Sequence, residues 1–200
     1  MYKMYIKGME KMNIIEKIAN HGFFSLKTCA EHGVSRYDIA SLEKKGLIRK
    51  IRHGVYAFPN TIDDEFFIPQ LTNKLIYSHD TALYLTGYSD LIPEQNTIMV
   101  PYGVHSKTLW QEFRVRQTPI EIFERGVVQI SSYCGNPIRV YCIERTLCDL
   151  IHSRTEFSKE RFIPAIQKYI SKNRDVGKII EYAQMLNVEK KIRPYLEALL

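Results

Sequence analysis

Long apolar runs are missing from this chain; the longest uninterrupted ones are about four or five residues, against the ~18 that a membrane-spanning helix needs. That excludes a helical membrane protein. Cysteine occurs four times (Cys29, Cys134, Cys142 and Cys148) without a C-x-x-C pair, which argues against a disulfide scaffold or a zinc knuckle. The four read as reduced thiols of a cytoplasmic protein. Scattered charges between Met1 and Lys7 leave no signal-peptide core, so the first eleven residues read as a short arm or a displaced start. G-x-S-x-G, Walker A, H-E-x-x-H and G-x-G-x-x-G are all absent, as are repeats and low-complexity tracts. Catalysis thus has no positive sign.

What is present is an uneven charge. Of 200 residues, 28 are Lys or Arg and 22 are Asp or Glu, a net +6. Residues 1–60 hold 11 basic against 5 acidic, and residues 61–200 hold 17 against 17, so the whole excess lies in the first 60. One basic module joined to one neutral module is expected, with domains at 1–60 and 61–200. A chain this long buries roughly 70% of its unfolded surface and needs no metal to fold.

In the basic module, Met12, Ile14, Ile15, Ile18 and Ala19 have helical spacing over about residues 10–20, and Gly22 ends it. Ser25 suits the N-cap of a short helix carrying Leu26, Cys29 and Ala30, closed by His32-Gly33. Ser35 caps the next helix, which runs to Lys45 with Gly46 beyond it. Two short helices around a glycine turn match a helix-turn-helix. With Ile39 and Leu42 inward, the outward face is Tyr37, Ala40, Ser41 and Lys44, with Arg36 in the first turn and Lys45 at the end. Hydrogen-bonding and small side chains on one face suit the major groove better than Glu–Lys pairs do. Residues 47–58 then read as two strands around Arg52-His53-Gly54, a wing whose Arg49, Lys50, Arg52 and His53 can reach phosphates or the minor groove. The plain alternative is a basic helical bundle.

In the neutral module, Asp63 and Asp64 open an expected helix to about Lys74, kinked or stopped by Pro69. Strands are expected at 75–77, 97–101, 114–117, 127–133 and 138–142, the last two around Gly135-Asn136-Pro137. Helices are expected at 79–86, 107–113, 143–153, 158–171, 174–186 and 188–199, with Gly177 and Pro194 as weak points. The fold class is therefore α+β: an N-terminal winged helix-turn-helix domain, then a mixed C-terminal domain ending in helices. Cys142, Cys148 and His152 have the wrong spacing for zinc and read as core residues. Arg145 and Asp149, one turn apart, read as an ion pair beside Glu144, and His79-Asp80 as helix capping. Glu189-Lys190-Lys191 lies on a helix rather than a strand, against a nuclease site.

Three ordered segments, Gly46–Tyr56, Tyr77–Gly87 and Val140–Leu150, with the tail Arg193-Pro194-Tyr195-Leu196, resemble the AbiEi family of type IV (abortive infection) antitoxins. Met1–Lys11 adds length before the family's usual first helix. The resemblance implies an autorepressor that binds inverted repeats in its own promoter through the winged-helix domain. It also implies a C-terminal domain that counters a nucleotidyltransferase toxin without a stable complex. DNA-contacting candidates are Arg36, Tyr37, Ser41, Lys44, Lys45, Arg49, Lys50, Arg52 and His53. No cofactor, metal, membrane partner or enzymatic activity is expected. The competing readings are a regulator whose C-terminal domain senses a small ligand, and a nuclease using Glu144 or Asp149.

Overall fold

The structure is a computed structural model that describes residues 2–153, 157–173 and 175–199. It is mixed α+β. Packing separates the chain into two compact units, the first reaching Asn73 and including Ser131–Pro137, the second comprising Lys74–Ile130 and Ile138 onward.

The first unit runs α1 (Tyr2–Ile18), β1 (Phe23–Ser25), α2 (Leu26–Glu31), α3 (Arg36–Lys44), β2 (Arg49–Arg52) and β3 (Val55–Ala57). Helix α1 begins at Tyr2 rather than near residue 10, so the expected arm is helical. Ser25 Oγ accepts from the Thr28 amide at 3.0 Å and opens α2. Ser35 and Asp38 form a reciprocal capping box at the start of α3, Ser35 Oγ accepting from the Asp38 amide at 3.2 Å and Asp38 Oδ2 from the Ser35 amide at 2.9 Å. Between the helices Gly33 takes φ +73°, which lets the chain reverse where a side chain would be strained.

Ile39 and Leu42 point inward as their spacing requires, onto Ile15, Cys29, Ile48 and Tyr56. Strand β1 is absent from the sequence reading. It pairs antiparallel with β3, which pairs with β2, giving the order β1-β3-β2. The Phe24 and Tyr56 rings stack across that ladder at 6.1 Å. A register shift between Lys50 and Arg52 makes a bulge at Ile51, directly before the His53-Gly54 turn.

The expected helix over 63–74 does not form. Pro69 has no N–H to return to residue 65 and its ring crowds that carbonyl. The segment instead makes a turn followed by a 3₁₀ helix at Ile68–Leu71. Asp64, fully buried, accepts from the amides of Phe66 (3.0 Å) and Phe67 (3.1 Å), from Asn136 Nδ2 (2.7 Å) and from the Ser132 hydroxyl. Phe67 packs on Phe23 at 5.7 Å. The unit therefore extends past residue 60 and takes in Asp63, Asp64 and Glu65, which cuts its basic excess to 11 − 8 = +3.

In the second unit the strands are β4 (Ile76–Tyr77), β5 (Thr97–Pro101), β6 (Arg114–Thr118), β7 (Val127–Ser131) and β8 (Pro137–Tyr141), in the order β6-β5-β4-β8-β7. β4 is antiparallel to β5 and parallel to β8, and β5 is parallel to β6. Helices α4 (His79–Leu85), α5 (Lys107–Glu112) and α6 (Ile120–Phe123) join the strands; α6 was not expected. Helices α7 (Ile143–His152), α8 (Lys159–Asn173), α9 (Val176–Met185) and α10 (Glu189–Glu197) follow. Leu147, Phe162, Ile166, Ile179 and Ile192 form their common core, and α10 continues through Pro194.

Candidate functional site

Helix α3 presents Arg36, Tyr37, Ala40 and Lys44 to solvent, with Lys45 exposed at its C-cap. Tyr37 is 79% exposed, unusual for an aromatic side chain that no core claims. Ser41 is half-buried, at the edge of this face. On the hairpin, Lys50 and His53 are exposed and Arg52 is half-buried. Of the nine candidate DNA contacts, six are therefore exposed, and Ser41, Arg49 and Arg52 are half-buried.

Arg49 behaves differently from Lys50, its neighbour on the opposite face of the strand. Its guanidinium lies 2.7 Å from Asp63 and also donates to the Thr61 carbonyl. It ties β2 to the segment after β3. The Asp63 partner lies fourteen positions away and gives no local signal.

In the second unit, Arg145 and Asp149 form a buried ion pair. Arg145 is 0% exposed, with Nε 3.0 Å from both Asp149 carboxylate oxygens. Its Nη1 donates to the carbonyls of Ile122 (3.3 Å) and Arg125 (3.4 Å). The guanidinium lies 4.8 Å from the Tyr141 ring centroid, and Nη2 has no hydrogen-bond partner among the described residues. Gly126 takes φ +81°, and a Cβ there would sit 2.9 Å from Arg145 Cβ, so only glycine lets this turn approach the arginine. Asp80 is more than a capping residue; it forms a salt bridge with Arg161 of α8.

Asp149 also lines a cavity of about 520 Å³ in this unit. His79, Met99, Arg116, Thr118 and His152 share the wall, contributed by α4, β5, β6 and α7. His79 is 4% exposed and holds a left-handed backbone, φ +51°, at the first position of α4. A non-glycine residue there stores about 1–3 kcal/mol of strain. Its Nδ1 lies 3.1 Å from Ser78 Oγ. Sequence reasoning missed this cavity because its residues are brought together by sheet order, not spacing.

The thiols are free: Cys29 and Cys148 are buried, Cys134 and Cys142 partly so. Burial pushes Cys29 and Cys142 up to about 11 and raises Cys148 further, so all three resist ionisation. Burial and nearby Cys142 lift the Tyr182 phenol to about 12. Among the described residues, no group of three or more His, Cys, Asp or Glu could hold a metal ion. No described helix is long and apolar enough to cross a membrane.

Residues 13–59, from α1 through the hairpin, match a family model described as transcriptional regulator, AbiEi antitoxin. Among curated proteins no match is found. Among solved structures the chain is similar to the RV2827C protein from Mycobacterium tuberculosis, with a TM-score of 0.56 at 13% identity, over 87% of this chain and 69% of that one. At that identity the likeness is one of fold.

Proposed function

We propose that this protein, whose residues 13–59 match the AbiEi transcriptional-regulator antitoxin model, represses its own promoter and serves as the antitoxin of a type IV abortive-infection system. The observation that carries the reading is the exposed face of α3 beside a basic hairpin. In this winged-helix reading, Arg36, Tyr37, Ser41, Lys44 and Lys45 enter the major groove. Lys50, Arg52 and His53 lie on phosphate or in the minor groove, while Arg49 holds the wing in shape through Asp63. The DNA is an inverted repeat, and the protein is cytoplasmic and not an enzyme. The second unit counters a nucleotidyltransferase toxin without forming a stable complex.

Two experiments test the two halves. A reporter under the protein's own upstream DNA is repressed by the intact chain and derepressed by Lys44→Ala with Lys50→Ala. Co-expression with the adjacent nucleotidyltransferase-like gene restores growth; persistent toxicity in the presence of folded protein contradicts the antitoxin assignment. A second reading, a regulator that senses a small ligand, is supported by the cavity of the second unit, whose wall mixes charged and apolar side chains.

A further inference from the structure

We propose that the exposed face of α3 selects a thymine: the hollow at Ala40, between Tyr37 and Lys44, receives the C5-methyl group of one A·T pair in each operator half-site. The proposal deepens the promoter-binding reading above and rests on it.

Four side chains of α3 are exposed: Arg36, Tyr37, Ala40 and Lys44. At about 100° per residue, Tyr37 and Lys44 fall within about 20° of one another and ~10.5 Å apart along the helix axis. Ala40 and the half-buried Ser41 lie between them, three and four positions after Tyr37 and on either side of that line. Two small side chains thus leave a hollow between two large ones. One wall of it is the Tyr37 ring, 79% exposed and claimed by no core. The exposed cations Arg36, Lys44 and Lys45 border the face, so a polyanion is the partner its charge favours.

What this face lacks narrows its choice of base. Adenine is held bidentately by Asn or Gln, and α3 contains neither. Cytosine N4 asks for a carboxylate. Asp38 is committed to the capping box, and the half-buried Glu43 is turned about 120° away from Tyr37. Guanine is met by Arg or Lys, which here stand at the ends of the face, not in its middle. Thymine alone shows the major groove a methyl group, and shows it beside the O4 acceptor. Ala40 supplies a methyl for the first, and Ser41 a hydroxyl donor for the second. Any other base at the hollow gives up water and meets an apolar surface at Ala40, so selection works by exclusion as well as by contact.

Site selection from a random duplex pool with the full-length protein supplies the DNA for the test. Deoxyuridine in place of each thymine in turn then removes one methyl group and nothing else. The expected result is one fixed thymine in each half-site whose replacement weakens binding about three- to fivefold, the worth of one buried methyl. Ala40→Gly removes the facing methyl, and at that position it should bind thymine and deoxyuridine equally. Both DNAs are compared on the same variant, so any cost of glycine to α3 cancels, and the scan on the wild-type protein needs no variant at all. A selected site without a fixed thymine, or a wild-type scan in which no deoxyuridine weakens binding, overturns the proposal and leaves DNA binding standing. An undiminished thymine preference in Ala40→Gly overturns the assignment to Ala40. Failure to enrich any duplex is a different result: it overturns the promoter-binding reading, and the proposal with it.

Discussion

Replacing Asp64 with alanine removes one carboxylate that serves four donors: the amides of Phe66 and Phe67, the Ser132 hydroxyl and Asn136 Nδ2. The site is fully buried, so water cannot simply take over. Hydrogen bonds to a charged acceptor contribute about 1.5–3 kcal/mol each, but four sharing one group are not additive and the charge's own desolvation is recovered. The expected loss is therefore about 3–5 kcal/mol. Native-state hydrogen exchange gives the local readout, because the Phe66 and Phe67 amides are themselves the donors. At ~1.4 kcal/mol per decade, their protection should fall by at least about a hundredfold. The single tryptophan, Trp110 on α5, lies in the second unit and reports that unit separately by fluorescence. Unchanged protection at Phe66 and Phe67, with an unchanged denaturation midpoint, refutes the role given to Asp64 and with it the extension of the first unit past residue 60.

Gly126→Ala places a Cβ at φ +81° and 2.9 Å from Arg145 Cβ, and should cost about 3 kcal/mol in thermal or urea denaturation. A cost under about 0.5 kcal/mol shows that the turn relaxes freely. Arg145→Met leaves Asp149 buried without its partner and should destabilise by about 3–5 kcal/mol, while the double variant with Asp149→Leu recovers much of that; a double-mutant cycle without coupling sinks the argument. Cys29 and Cys142 have pKa values raised from 9.0 to about 11 by burial, so the folded state holds their protons longer than the unfolded chain. Stability contributed by the neutral thiols is complete below about pH 9 and declines as pH rises toward 11. Urea midpoints measured across that window should fall, and should fall less with pH when both cysteines are replaced by alanine, which has no proton to lose.

The parts of the fold that were legible in the sequence are those decided by neighbours a few residues away. Ser25, Ser35 and Gly33 mark the ends of α2 and α3 because capping and chain reversal are local events. Strand β1 was not legible. Phe23, Phe24 and Ser25 are all buried, so no alternation marks them, and the strand exists because β3 is there to pair with it. The helix expected at 63–74 does not form: Phe66, Phe67 and Leu71 carry helical spacing, yet Pro69 and the carboxylate of Asp64 favour turns instead. The same segment alters the charge argument. The first 60 residues hold the whole basic excess, but the compact unit they belong to also includes Asp63–Glu65. One of these acids takes up Arg49, which leaves Lys50 as the displayed cation of β2. The cavity at Asp149, and the backbone of His79, depend on strands far apart in the chain and left no pattern to read.

The central claim is that α3 and the hairpin read the protein's own promoter. It is tested most directly by titrating the upstream DNA with wild-type protein and with Lys44→Ala across a range of salt concentrations, alongside a footprint. The account predicts protection over an inverted repeat and a loss of about 1–3 kcal/mol for Lys44→Ala if it contacts a base. If Lys44 contacts phosphate only, the loss is similar on every sequence and the salt slope falls by about one. Absence of a footprint, or wild-type affinity and salt slope in Lys44→Ala, contradicts it.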